Sequence, residues 1–435
     1  MTPSTSTRKL TNGQANRIMD RDQSVHNWYR FVLSFPPHLV RDYLGRFGIS
    51  HQDRVLDPFC GTGTTLVECR KLGVPSIGIE ANPMAHFASR VKVDWSPSPE
   101  GLVQHAREVA TLAATQLEAD GVGDVSIFED KPRALRALPV ESEALLLKGS
   151  ISPRPLHRTL VLFDVIRQLA DERYRDHELL ALAHALVGSI GNLHFGPEVG
   201  VGRPKPDAPA ILPWLEQVKR MARDLTEAAE PRATEAEVVL ADARRPSEHV
   251  GPQSVSAVIT SPPYPNEKDY TRTTRLESVI LGFIRDKSDL RALKRGLIRS
   301  NTRGVYKGDV DGAWVQTNRT VQRLAEDIEK RRLELGKTSG FERMYPTVTK
   351  LYFGGMARHF AGLRECLAPG AHLAYVVGDQ ASYLRVLIRT GQLLADIAES
   401  LGYEVLGLDL FRTRLATATK EQLREEVLVL RWPGN

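Results

Sequence analysis

Cysteine is nearly missing from this chain: three in 435 residues, at Cys60, Cys69 and Cys366. Their spacing offers no thiolate metal site, and none is expected. An odd count with no secretory leader points away from a disulfide framework and toward a reducing cytoplasm. Long apolar runs are missing too. No uninterrupted stretch is long enough to span a bilayer, and the first residues are polar and basic, which predicts a soluble, intracellular protein with no membrane partner. Charge of one sign is also scarce, since the formal net charge is only +5. That balance permits a polyanionic partner without demanding one. What the chain does have is 42% hydrophobic and 26% charged residues, enough to bury a full core and to exclude global disorder. The length suits two or three lobes, or one α/β domain with long insertions.

Two short segments carry the chemistry. The first is Arg54-Val55-Leu56-Asp57-Pro58-Phe59-Cys60-Gly61-Thr62-Gly63-Thr64-Thr65, an apolar strand that runs into an acid and a glycine-rich turn. Helical spacing follows over 66–72. Gly61 and Gly63 let a ligand approach the backbone, and the amides at the helix start offer donors to a carboxylate or phosphate. Ser76-Ile77-Gly78-Ile79-Glu80 then reads as a second strand ending in an acid. In nucleotide-binding α/β folds an acid at that place accepts hydrogen bonds from ribose hydroxyls. The second segment is Ser261-Pro262-Pro263-Tyr264, directly after the apolar run 255–259. Two prolines remove two backbone donors, so carbonyls and the leading hydroxyl face outward as acceptors with an aromatic face behind them. Alone, this is equally a proline-rich turn closing a buried strand.

Together the two segments resemble the signature motifs of the S-adenosylmethionine-dependent DNA amino-methyltransferases, which methylate exocyclic nitrogens of bases. The resemblance covers 24–95, 236–283 and 350–432. It implies a Rossmann-like class I methyltransferase sheet of α/β class, interrupted by a mainly helical insertion and a basic one. It implies S-adenosylmethionine as cofactor, held by Asp57, Pro58, Phe59, Gly61, Gly63, Thr64, Thr65, Glu80, Asn82, Asp242 and Ala243, and catalysis at Ser261, Pro262, Pro263 and Tyr264. Double-stranded DNA with its target base flipped out is the implied partner, beside a restriction or defence-system partner. Serine-led versions of the second motif accompany cytosine N4 methylation, and Asp- or Asn-led versions accompany adenine N6. Adenine N6, an RNA base, and a cofactor fold that binds nucleic acid without turnover stay open as alternatives. The cytosine C5 route needs a cysteine nucleophile, usually after proline, and no cysteine here follows proline.

The remaining core is expected from strands at 237–243 and 254–260, a strand at 371–379 after Gly370, helical spacing over 384–401, and an antiparallel pair at 404–411 and 426–431. Upstream, 28–44, with Ser34-Phe35-Pro36-Pro37-His38, resembles the element that precedes the glycine motif and closes over the methionine carboxylate. Because the cofactor motif comes first, the chain does not follow the circularly permuted order of the family.

The expected division is a basic tail (1–23), core (24–96), a helical insertion (97–235), core (236–283), a basic insertion (284–349) and core (350–435). Within the first insertion, 102–117 and 156–190 have helical spacing, and 191–206 is too rich in glycine and proline for regular structure. His194, Phe195, Arg203 and Lys205 in that loop are candidate pocket or phosphate contacts. Between Ile284 and Lys350 there are sixteen Lys and Arg against nine Asp and Glu, so positive charge concentrates there, as for a phosphate-tracking surface. Arg291, Lys294, Arg295, Arg299 and Arg303 are spaced as one helical stripe running into the turn at Gly304. Arg8, Lys9, Arg17 and Arg21 suit a DNA-contacting arm. After the catalytic motif, Asp269, Tyr270 and Arg272 are candidate substrate contacts, with Asn266 and Glu267 nearby. Asp269 reads equally as a helix cap.

Overall fold

The computed structural model describes residues 19–29, 34–125, 134–196, 198–228, 234–266, 268–415 and 422–434. Arg8, Lys9, Arg17 and Glu267 lie outside these residues, as does the side chain of Arg21. Seven strands form one sheet: β1 (Val55–Asp57), β2 (Ser76–Glu80), β5 (Ala236–Leu240), β6 (Val255–Thr260), β7 (Leu367–Gly378), β8 (Glu404–Leu415) and β9 (Gln422–Arg431). Strands β3 (Leu193–Phe195) and β4 (Val199–Val201) form a separate antiparallel hairpin. The sheet order is β5-β2-β1-β6-β7-β9-β8. The first five strands are parallel and the last two pairings antiparallel, the Rossmann-like methyltransferase arrangement.

Central parallel strands are covered on both faces, so they read as continuous apolar runs. This is why β1 is buried throughout and β6 buried at five of its six positions. Strands β1 and β6 are neighbours, with Val55 opposite Ala257 and Leu56 opposite Val258, although two hundred residues of chain separate them. From this pair the sheet grows outward in opposite directions, and open α/β sheets bind ligands at such a reversal, outside the carboxyl ends of the strands. Both motifs leave the sheet at that point.

The first insertion packs helices Pro99–Ala119, Pro153–Gln168, Arg175–Ala185 and Ile211–Glu227 against the core rather than apart from it. Leu102, Val161, Leu182 and Trp214 share one buried cluster with Leu66, Phe87 and Val91 of the helices flanking β2. Asp224 fastens the N-terminal segment to this body, accepting from Trp28 Nε1 at 2.7 Å and from the Val25 amide at 2.9 Å. Segment 191–206 is more regular than its composition predicts, because the β3–β4 hairpin forms across it, with Gly196 in the connecting turn.

The second insertion is also built into the core. Ile298, Val315, Val321 and Ile328 pack with Leu56, Ile77 and Val258 of the sheet and with the helix Gly340–Leu363. A Cβ on Gly354 of that helix would overlap the Asp311 carbonyl, so glycine is what lets the insertion backbone lie against the helix. The predicted single basic stripe does not form. Helix Lys287–Gly296 ends before Ile298 turns into the core, and Arg303 falls in a separate 3-10 turn, Thr302–Gly304. No helix among the described residues is long and apolar enough to cross a membrane.

Candidate active site

A cavity of about 490 Å³ opens at the carboxyl edge of β1, β2 and β6, and both motifs line it. Pockets for small ligands run from roughly 300 to 1,000 Å³. Pro58, Phe59, Gly61 and Thr64 come from the turn after β1, Glu80 and Asn82 from the end of β2, Ala243 from beyond β5, and Ser261, Pro262, Pro263 and Tyr264 from the end of β6. Ser34 and Phe35, just before the helix Pro37–Arg46, close one side.

The turn after β1 is held from beneath. Buried Asp57 accepts from Thr260 Oγ1 at 2.5 Å and from the Phe59 amide at 3.1 Å, while Thr65 donates to the Ile259 carbonyl at 3.0 Å. These bonds tie the two motifs together across adjacent strands. Burial pushes the Asp57 carboxyl up to about 6. Gly63 has φ +83°, and a Cβ there would meet Ser89 Oγ at 2.5 Å. Its requirement is thus a close approach to helix Pro83–Lys92 rather than to a ligand. Asp57, Gly63 and Thr65 shape the turn without facing the cavity.

Glu80 faces it. Its carboxylate accepts from the amides of Gly61 at 2.8 Å and Asn82 at 2.7 Å, yet burial outweighs these bonds and raises the carboxyl to about 7. Such a group gains from added donors, as ribose hydroxyls would supply. Asn82 caps the helix Pro83–Lys92 by accepting from the Met84 amide at 3.0 Å, and donates to Thr274 Oγ1. Asp242 is set back from the cavity and bound by Arg244, at 2.6 Å in its shortest contact, leaving its neighbour Ala243 at the wall. Beneath Ala243, buried His359 bonds its carbonyl at 2.6 Å and the Tyr375 hydroxyl at 2.6 Å. Burial lowers this imidazole to about 4, so it stays neutral, and its edge supports the Phe59 ring at 4.9 Å.

At the other motif the Ser261 hydroxyl donates to the Val376 carbonyl of β7 at 3.0 Å. Tyr270 accepts the Tyr264 amide on its phenol oxygen at 3.1 Å, which fixes the backbone of the motif. The Tyr264 ring lies against Gly378, where a Cβ would come within 3.0 Å of it. Asp269 caps the turn Tyr270–Thr273, accepting from the Thr271 amide at 3.1 Å, and is paired with Lys294 at 2.8 Å. It also lines the cavity, as does Tyr270.

Of the other arginine candidates and those of segment 191–206, Arg299 alone is at the cavity wall among the described residues. Arg272 faces Glu198 at 3.9 Å. His194 and Phe195 sit on β3, Arg203 is exposed, and the Lys205 ammonium binds the carbonyls of Gly188 and Ser189. None of these five lines the cavity. Arg295 lies over the Tyr306 ring, and Arg303 over the Phe341 ring. Arg299 is the sharpest correction to the basic stripe. It is 1% exposed, paired with Asp309 at 2.6 Å and bonded to the carbonyls of Lys294, Arg295 and Leu297. Its guanidinium is consumed in holding the insertion together. Sequence reasoning missed Lys268, Gln380, Arg412, Arg414 and Glu425, which complete the wall beside Tyr264. They come from β8, β9 and connecting loops, where no motif marks them.

The fold and the two joined motifs are similar to those of the S-adenosylmethionine-dependent DNA amino-methyltransferases. Residues 8–89 match the family model described as DNA methylase. The chain is similar over 95% of its length, at 26% identity, to the type II methyltransferase M.BsoBI of Geobacillus stearothermophilus, of which the match covers 84%. It is also similar over 98% of its length, at 23% identity, to the type II methyltransferase M.AvaI of Nostoc sp., covering 89% of that protein. A shorter likeness, 39% over 17% of the chain and 14% of the relative, is to the type II methyltransferase M.MjaII of Methanocaldococcus jannaschii.

Proposed function

We propose that this protein is a site-specific DNA methyltransferase acting on the exocyclic N4 of cytosine, with S-adenosylmethionine as donor. The observation that carries the reading is the Ser261 hydroxyl. Ser261 lines the cavity and its proton is committed to Val376 at 3.0 Å, so its oxygen has only acceptor capacity left, beside the Pro262 carbonyl.

An aromatic amine is a poor nucleophile because its lone pair is delocalised into the ring. Two acceptors placed on its two N–H groups favour a pyramidal nitrogen with the lone pair directed out of the ring. Ser261 and Pro262 perform that task. Tyr264 offers a face on which a base rotated out of the duplex stacks, and Gly378 leaves room for the ring that does so. No strong general base is required, since the nitrogen proton becomes acidic as the new bond forms. The residues at the glycine-motif end fit the cofactor: each Glu80 oxygen already accepts one amide, and the half-buried carboxylate at the cavity wall has lone pairs left for hydroxyl donors. The space also suits a ligand of that size. When bound, S-adenosylmethionine supplies a methyl carbon made electrophilic by the sulfonium. Glu80 would hold its ribose, and Phe59, Gly61 and Thr64 its methionine end.

The choice of cytosine rests on a serine leading the motif in place of Asp or Asn. The test is nucleoside mass spectrometry of duplex DNA incubated with the protein and labelled cofactor. N4-methylcytosine is the expected product. N6-methyladenine alone would overturn the cytosine assignment, label in RNA alone the DNA assignment, and binding without transfer to any nucleic acid the enzymatic one.

A further inference from the structure

The centre of the basic insertion, 294–304, contributes to the cavity wall, while its Arg295 and Arg303 stay exposed. Gly296, Leu297, Ile298, Ser300, Asn301 and Gly304 all line the cavity. The position along the cavity is defined by two contacts. A Cβ on Gly296 would lie 3.7 Å from the Cβ of Ala81, the residue after Glu80. The Arg295 carbonyl accepts from Arg244 at 2.7 Å, and the same guanidinium binds Asp242 at the end of β5. Segment 295–298 therefore bridges the end of β2 and the end of β5, beside Glu80, to which the proposed function assigns the ribose.

Two further observations point to a ligand there. Asn301 is 7% exposed, and its carboxamide oxygen has no hydrogen-bond partner although its nitrogen donates to the Lys268 carbonyl at 2.9 Å. A buried acceptor left unpaired costs roughly 1 to 3 kcal/mol, so a site that keeps one gains when a donor arrives. Near it in sequence, Leu297 and Ile298 add apolar surface to the cavity that Ala81 and Ala243 also line, suited to the flat face of a base.

We propose that segment 294–304 is a wall of the S-adenosylmethionine pocket, with Leu297 and Ile298 covering the adenosine half and the Asn301 carboxamide oxygen accepting a hydrogen bond from the cofactor. The inference rests on the cofactor reading above and departs from the phosphate-tracking role that charge alone suggests for this insertion. The insertion is anchored for the task. Arg244 joins Asp242 to Asp311, and Arg358 holds the other oxygen of Asp311 at 3.2 Å, while Ile298 is packed into the core.

The test is calorimetric titration of S-adenosylmethionine into the full chain and into two variants, Gly296→Val and Asn301→Ala, each checked for a native thermal unfolding transition. Both variants should bind the cofactor about tenfold or more weakly, while affinity for a DNA duplex without cofactor, read by fluorescence anisotropy, stays within about twofold. Unchanged cofactor affinity in folded variants, with weakened DNA binding, would assign the segment to phosphates and overturn the inference alone. Failure of the wild-type chain to bind S-adenosylmethionine would overturn both this inference and the proposed function. Should Asn301→Ala fail to fold, Gly296→Val decides, because its added Cβ makes only an ordinary contact with Ala81.

Discussion

The Ser261 hydroxyl donates its proton to the Val376 carbonyl across 3.0 Å. One hydrogen bond to the neighbouring strand thus commits the hydroxyl's single proton and leaves its oxygen with acceptor capacity alone. The leading serine of the motif is held in place only because β7 lies beside β6.

Replacing Ser261 by alanine removes one of the two acceptors proposed to shape the nucleophile, and leaves the cofactor end of the cavity intact. Single-turnover methyl transfer should slow by about a hundredfold, with S-adenosylmethionine affinity unchanged by calorimetry. Equal losses in both would reassign Ser261 to cofactor binding.

Tyr270→Phe deletes the phenol oxygen that accepts the Tyr264 amide at 3.1 Å. The unpaired amide should cost about 1 to 3 kcal/mol in denaturant unfolding. Because the bond positions the motif backbone, kcat should fall while cofactor affinity holds. A loss of stability with full kcat would limit Tyr270 to a structural role.

Glu80 gives a pH dependence with a fixed sign. Its carboxyl is raised from 4.5 to about 7, so the unliganded fold binds this proton more tightly than the unfolded chain does. The associated stability is complete below about 4.5 and is lost as pH rises through 7. Hydroxyl donors favour the ionised form, so S-adenosylmethionine affinity should increase between pH 6 and 8 and then level off, as measured by calorimetry. Glu80→Gln should flatten that profile. A wild-type affinity that is flat or falls with pH would remove Glu80 from the ligand.

Much of the fold was legible because its signals are local. The run 255–259 gives a buried parallel strand, Gly61 and Gly63 with positive φ give the turn, and Asn82 before Pro83 gives a capped helix start. The boundaries that slipped are also local in origin. Helical spacing over 384–401 misses that Leu384 and Arg385 have positive φ, so the helix starts only at Thr390. The β3–β4 hairpin was hidden by glycine and proline counts that say nothing about pairing.

The site was legible in its motifs and illegible in its walls. Charge spacing suggested a basic stripe through Arg299, but the burial of Ile298 against the sheet carries Arg299 inside, where Asp309 and three carbonyls surround it. Local sequence does not encode which distant acid will meet a given arginine.

By itself the sequence determined the central strands, the glycine turn, the acid at the tip of β2 and the proline turn after β6, because each is fixed by backbone preferences and apolar periodicity within a dozen residues. Only the tertiary structure decided that Ser261 donates to Val376, that Tyr270 braces Tyr264, and that segment 294–304 contributes to the cavity wall. Those outcomes depend on which atoms far apart in the chain share one hydrogen bond or one buried surface, and strand order at the β1–β6 junction sets that.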